Sequence, residues 1–248
     1  MYKMISNCKE ESKKNSCCGS GDIYQDYPLK GLLKANMNRS LDHLRDELSD
    51  DDSLIYSYVL TTLDLENGKF KQSGCAPNFQ GGYITLTSCK HHMRTYSNIR
   101  KKDNLWIAGL TSRTLFDSKN HYLFYLMKVQ DRFKSHKEMW DSLEEEVRKE
   151  KSAYKNRLGD IYEPDDGNEF SKEGYEKPAK NHEHKDCWEK DIDYQSGKSG
   201  KRPVLLLGNP DQSYLWSKPK VRYADGEHAR HCEKWKSVGS LIASLKTK

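Results

Sequence analysis

At 248 residues the chain has room for one domain with a sizeable core, or one domain with appendages. Only 35% of the residues are hydrophobic against 32% charged, and the mean hydropathy of −0.99 predicts long polar loops beside a compact core. The formal net charge of +5 is too small to name a partner by itself, and no apolar run approaches the length of a membrane span, so no membrane partner is expected.

In chain order, residues 1–29 form a polar segment without periodicity. Between 30 and 53, Leu32, Leu33, Met37, Leu41, Leu44 and Leu48 recur at three- and four-residue steps, which predicts an amphipathic helix over about 30–48. Asp50-Asp51-Asp52-Ser53 ends it, and its apolar stripe either packs on the core or mediates dimerisation. A domain over 54–248 then opens with an apolar, β-branched strand near 54–62. Asn67-Gly68 is a type I′ turn signal. Ala76-Pro77-Asn78-Phe79-Gln80-Gly81-Gly82 reads as a second turn, and it feeds a strand near 83–88.

Further strands are expected near 104–110, 121–130 and 203–207, the fourth almost continuously apolar as a strand buried on both faces would be. Ser135 and Glu138 form a capping-box pattern ahead of a helix lined by Met139, Leu143 and Val147. Residues 149–200 are polar, yet Tyr154, Leu158, Ile161, Tyr162, Phe170, Tyr175 and Trp188 supply anchors for an irregular loop. A last helix is expected near 228–245, with Trp235, Val238, Leu241, Ile242 and Leu245 as its stripe. The strands do not alternate with crossover helices. The fold class that follows is α+β: a curved antiparallel sheet or small β-barrel with flanking helices, not a parallel doubly wound sheet.

Residues 1–20 lack the apolar centre of a signal peptide, so secretion is not expected. Seven cysteines, an odd number in a chain this long, then read as reduced thiols in the cytoplasm rather than a disulfide framework. Histidine and cysteine cluster at Cys89/His91/His92, at His182-x-His184-x-x-Cys187 and at His228-x-x-His231-Cys232. Together they could supply zinc ligands, but none has a standard finger spacing and no metal is assigned. Cys89 with His91 on the same strand face could act as a nucleophile, against the commoner reading of a structural thiol. No Walker loop, dinucleotide fingerprint or H-E-x-x-H is present, so no cofactor is expected.

The turn and its strand carry the chemistry. Glycine-rich backbone next to Lys90 and Arg94 suits an anion or a nucleobase, and an aromatic at a pocket mouth would offer a stacking platform. A basic face is also written locally, at Asn98 to Lys102 and at Lys198 to Arg202.

The succession A-P-N-x-x-G-G-Y-x-T-L-T-x-C-K-x-x-x-R (Ala76 to Arg94), D-N-L-W-I-A-G-L-T-S (Asp103 to Ser112) and Y-L-F-Y-L-M-K-V (Tyr122 to Val129) resembles the second nucleotide-modification-associated domain, found in phages and bacteria and associated with DNA base hypermodification. Leu158 to Tyr162 and Val204 to Leu207 resemble later segments of that family, so the likeness covers about 54–210. Phe79 after Asn78, His91 after Cys89-Lys90, and the stretch Ala108 to Ser112 depart from the family's pattern. In outline the strands also look like the PUA-like group with its EVE domains, whose members bind a nucleobase in a barrel-side pocket.

The resemblance implies a non-catalytic reader of a nucleotide or modified nucleobase, in a nucleic-acid modification or phage-defence context. An enzyme of base hypermodification or nucleotide processing, and a protein-interaction component of a defence system, stand as alternatives, so whether a reaction is catalysed stays open. The partner is a nucleotide or a nucleic acid carrying a modified base. The site is expected to gather Asn78, Thr85, Cys89, Lys90, Arg94, Trp106, Thr111 and Ser112 in one pocket, with Lys90 and Arg94 at its rim.

Overall fold

The structure, a computed structural model, describes residues 31–72, 76–115, 119–152, 161–176, 187–197, 200, 202–223, 228 and 231–248. The expectations for residues 1–29, Tyr154, Leu158, His182 and His184, for Lys198, Ser199 and Lys201 of the basic run, and for the side chains of Leu32, Cys187 and Trp188, lie outside what it describes.

The apolar run Leu54–Leu60 is strand β1, and its pairing sets the topology. It runs parallel to a strand at Leu105–Thr111, with Ile55 opposite Trp106 and Leu60 opposite Thr111. Parallel neighbours need a long crossover. Here the crossover contains the hairpin β2 (Leu63–Glu66) and β3 (Lys69–Gln72), the glycine turn, β4 (Thr85–Leu86), and two short helices, α3 (His91–Arg94) and α4 (Ser97–Lys101). Asn67 and Gly68 close the hairpin with φ of 51° and 73°, as a type I′ turn requires.

Leu105–Thr111 is β5, and the long β6 (His121–Phe133) lies antiparallel to it. β6 pairs onward with β7 (Leu205–Leu215) along most of its length and with β8 (Val221–Tyr223) at its start. Register shifts in the β5–β6 and β6–β7 pairings bend the sheet. The class is therefore α+β with a curved sheet, as the strand pattern implied. The sheet is mixed rather than uniformly antiparallel, because β1 and β5 run side by side in the same direction.

Several expected helices are shorter or interrupted. The helix over 30–48 divides into α1 (Gly31–Ala35) and α2 (Leu41–Leu48). Asn38 adopts φ 58° between them, donates its backbone N–H to Leu215 O at 2.7 Å and accepts from Ser217 N at 3.0 Å, so the connector docks on the end of β7. Leu41, Leu44 and Leu48 enter the main core, so this segment packs on the sheet. After Ser135 the helix also divides, into α5 (His136–Ser142) and α6 (Glu145–Ser152), because Leu143 turns extended. Met139, Leu143 and Val147 still meet, in a second apolar cluster with Phe133, Ile161, Leu205 and Leu207. Glu138 accepts from Lys134 N at 2.5 Å, one residue before the cap it was expected to bond.

The polar stretch holds a further helix, α7 (Cys187–Gln195), whose Ile192 packs with Tyr162 and Tyr175 in a third cluster. Near the end, Trp235 lies in β9 (Glu233–Trp235), paired antiparallel to β1, rather than on a helical stripe. The extended Ser237 closes a capping box with Ser240 and starts α8 (Val238–Ser244), which leads into β10 (Leu245–Thr247) beside β8. Among the described residues no helix is long and apolar enough to cross a membrane.

Candidate functional site

The glycine turn is closed by its own strand. Asn78 and Thr85 exchange both backbone hydrogen bonds, at 3.0 and 2.8 Å. Asn78 Oδ1 also accepts from Gln80 N at 3.2 Å, an Asx-type turn bond. Gly81, at φ 72°, leaves room for α6: a Cβ there would lie 2.9 Å from a Val147 methyl carbon. One turn further along α6, the fully buried Lys151 sends its ammonium into the motif. Its Nζ donates to Asn78 Oδ1 at 3.0 Å, Tyr83 O at 3.1 Å and Thr85 Oγ1 at 3.1 Å. On this side the motif presents oxygens to a cation of its own chain.

At the strand's exit Lys90 takes a left-handed backbone, φ 56° and ψ 34°, and α3 begins at once. Strand alternation therefore does not continue past Lys90, and it does not set Cys89 and His91 on one face. His91 instead stacks on Tyr194 with centroids 3.8 Å apart, and burial, then Arg94 and His92, hold its pKa below the usual value. His92 meets Tyr96 edge-on. Cys89 is half buried and packs on the main core. Lys90 Nζ lies 4.8 Å from the centre of the Tyr58 ring, a cation–π contact. Tyr125 donates its hydroxyl to Tyr58 Oη at 2.9 Å, and the pair fits because Gly109 has no side chain: a Cβ there would lie 2.3 Å from the Tyr125 ring.

Arg94, expected at a rim, is 1% exposed. Its guanidinium donates to three backbone carbonyls: Cys89 O at 2.9 Å, Val204 O at 2.6 Å and Ser88 O at 3.3 Å. It thus ties the motif's exit to the start of β7. Trp106 lies wholly in the core, stacked on Tyr214 at 6.5 Å, and its Nε1 has no hydrogen-bond partner.

Thr111 and Ser112 lead to an open site. Beyond the carboxyl ends of β1 and β5, a cleft of about 680 Å³ is lined by Val59, Thr61, Leu63, Asp64, Leu65, Ser112, Arg113, Thr114, Leu115, His121 and His228. Thr111 O lies 2.6 Å from His121 Nδ1, and Thr111 Oγ1 accepts from Tyr122 N at 2.9 Å, which fixes the imidazole at the cleft wall. His228 stands against it with ring centroids 5.9 Å apart. His228 Nε2 is 2.6 Å from Ser57 Oγ and 3.4 Å from the Glu233 carboxylate, while Trp235 Nε1 donates to the same Ser57 Oγ at 2.6 Å. Serine and carboxylate meet one nitrogen, so the imidazole cannot pass a proton from one to the other through its ring as a catalytic triad does. The Cys232 thiol, pushed up to about 12 chiefly by burial, stays protonated near neutrality.

Hydrogen bonds thus sort the expected residues into groups. Asn78 and Thr85 share Lys151, Cys89 and Lys90 adjoin Arg94, Thr111 and Ser112 border the cleft, and Trp106 is core. The sequence pattern alone passes over Lys151, Arg113 and His121, and it marks His228 only as a possible zinc ligand. Lys151 does carry a signal. It falls four residues after Val147, on the apolar stripe of α6, where a lysine needs a buried partner. The cleft's signal is topological: ligands favour the carboxyl ends of parallel strands, and an antiparallel reading gives no reason to look there.

The profile of the family described as nucleotide modification associated domain 2 matches residues 53–206, from just before β1 into β7. The match contains the motif turn and all the cleft residues except His228. No curated protein and no solved structure matches the chain. With more than half of its length covered by that profile, the chain belongs to the nucleotide modification associated domain 2 family.

Proposed function

We propose that the chain binds a nucleotide or modified nucleobase in the cleft beyond β1 and β5, and acts as a reader that leaves its ligand unchanged. The observation that carries this reading is the cleft itself. Its volume of about 680 Å³ suits a nucleoside with its phosphate. Leu63, Leu65, Leu115 and Val59 offer apolar contact to a base, and Thr61, Ser112, Thr114 and the two histidines offer hydrogen bonds to its edge. Arg113 supplies the charge for a phosphate. The family's association with nucleotide modification gives the context in which such a ligand occurs. In this reading Asn78, Thr85 and Arg94 position the strands that form the site, and the sheet plays the part of a PUA-like scaffold.

A thermal-shift screen with nucleotides and modified nucleosides tests it. A ligand at about a hundred times its Kd should stabilise the protein by roughly 2.7 kcal/mol. Arg113→Ala should weaken nucleotides more than nucleosides. A panel with no stabilising member would sink the reading. One feature favours the enzyme alternative: His121 and His228 face each other in the cleft, a spacing at which one could accept a proton and the other donate one. A bound nucleotide returned chemically altered, read by mass spectrometry, would replace reader with enzyme.

A further inference from the structure

A second cleft, of about 500 Å³, opens against α4 and is lined by Tyr56, Thr95, Tyr96, Ser97, Asn98, Arg100 and Lys101. Its chemistry is one-sided. No carboxylate lines it among the described residues, and neither Arg100 nor Lys101 forms an ion pair there, although both are exposed. Lys102 extends the cationic run past the end of α4. Two tyrosine rings stand beside these charges, 6.0 Å apart between centroids and tilted by 49°. Asn98 Nδ2 holds the Tyr56 hydroxyl at 3.3 Å, and exposed His92 sets its ring edge-on to Tyr96 at 5.4 Å, which carries the polar strip on towards α3.

From this juxtaposition we infer that the α4 cleft binds the phosphodiester backbone of a single nucleic-acid strand, with Arg100 and Lys101 on phosphates and Tyr96 against a base. Consecutive cations along one edge fit a polyanion better than a single phosphate, and adjoining aromatic faces accept bases of any sequence. Arg132 donates to Ile99 O and Lys102 O at 2.6 Å each, which ties the segment to β6. The inference extends the nucleotide-binding reading from a free nucleotide to a base presented by a strand, but it uses none of the residues of the cleft beyond β1 and β5.

The test measures fluorescence anisotropy of short labelled oligonucleotides of one mixed sequence, as DNA and as RNA, against the full chain over a range of salt. Wild type should bind at least one of the two, and the comparison of the two arms identifies the strand. Arg100→Ala/Lys101→Ala should weaken binding about tenfold and flatten the log–log salt slope by about 1.4, at roughly 0.7 for each phosphate that is no longer neutralised. Tyr96→Leu should weaken binding roughly tenfold without changing that slope. Circular dichroism of each variant should match wild type, since the changed side chains are exposed or only half buried. No binding of either strand, or an unchanged affinity and slope in the double variant, overturns the inference. Mononucleotide stabilisation is measured in parallel. Its absence together with strand binding defeats the nucleotide cleft alone, and its loss in the double variant defeats the independence of the two sites.

Discussion

Arg94 and His136 illustrate opposite ways of burying a nitrogen base. The Arg94 guanidinium is almost wholly buried, but it donates to three carbonyls, so its charge is spread over well-placed acceptors. Arg94→Ala leaves those carbonyls without their donor and should cost about 3 kcal/mol, seen as a lower urea midpoint, with Arg94→Lys recovering only part. His136 is fully buried at the start of α5, 4.4 Å from the Tyr162 ring and 6.0 Å from Tyr175, and neither ring nitrogen has a hydrogen-bond partner. Burial first, and Arg94 second, lower its pKa to about 3. The unfolded chain therefore takes up this proton before the folded one as pH falls. The contribution is complete above about pH 6.5 and is lost progressively down to about pH 3, the loss reaching roughly 2 kcal/mol by pH 5. Urea titrations at stepped pH should show this slope in wild type and its loss in His136→Phe.

Between elements, Lys151 fastens α6 to the motif turn through three hydrogen bonds. Lys151→Met keeps the length of the side chain but strips Tyr83 O and Thr85 Oγ1 of this donor. We expect a loss of about 1–3 kcal/mol and faster amide exchange over 145–152. The same scale explains what could be read in advance. β1, β5 and β6 were legible because their apolar runs are continuous, and the Asn67-Gly68 hairpin because both residues tolerate positive φ. The parallel pairing of β1 with β5 was not legible, since no local pattern records which strand lies beside which. Trp235, Val238, Leu241 and Ile242 imitate a helical stripe, and only Lys236 and the extended Ser237 separate strand from helix. The site suffered in the same way. Thr85 and Asn78 were found through their motif, whereas His121 and His228, more than a hundred residues apart in sequence, become neighbours only in the fold.

For the molecule as a whole, the family match and the folding unit have different boundaries. Residues 53–206 stop two residues into β7 and leave out β8, β9, β10 and α8. A fragment cut to those limits loses β9 from the side of β1 and most of β7 from the side of β6. It also lacks Val238, Leu241 and Ile242, which close the main core. Such a fragment should bind a hydrophobic dye and lack the near-ultraviolet dichroism of the full chain, the signs of a collapsed state without fixed packing. A fragment with native dichroism would contradict this.

The pairing of β1 also bears on how the protein is made. One neighbour of β1 arrives only after the whole crossover has been synthesised, and the other, β9, pairs Ile55 with Trp235 across most of the sequence. On a ribosome the run Leu-Ile-Tyr-Ser-Tyr-Val-Leu emerges before both and waits for them. During that interval its unpaired edge can recruit strands from other nascent chains. Slow synthesis prolongs the hazard, because β9 covers that edge of β1 only after it arrives. Expression yield should therefore respond to chaperones that shield nascent strands more than to changes that stabilise the finished fold.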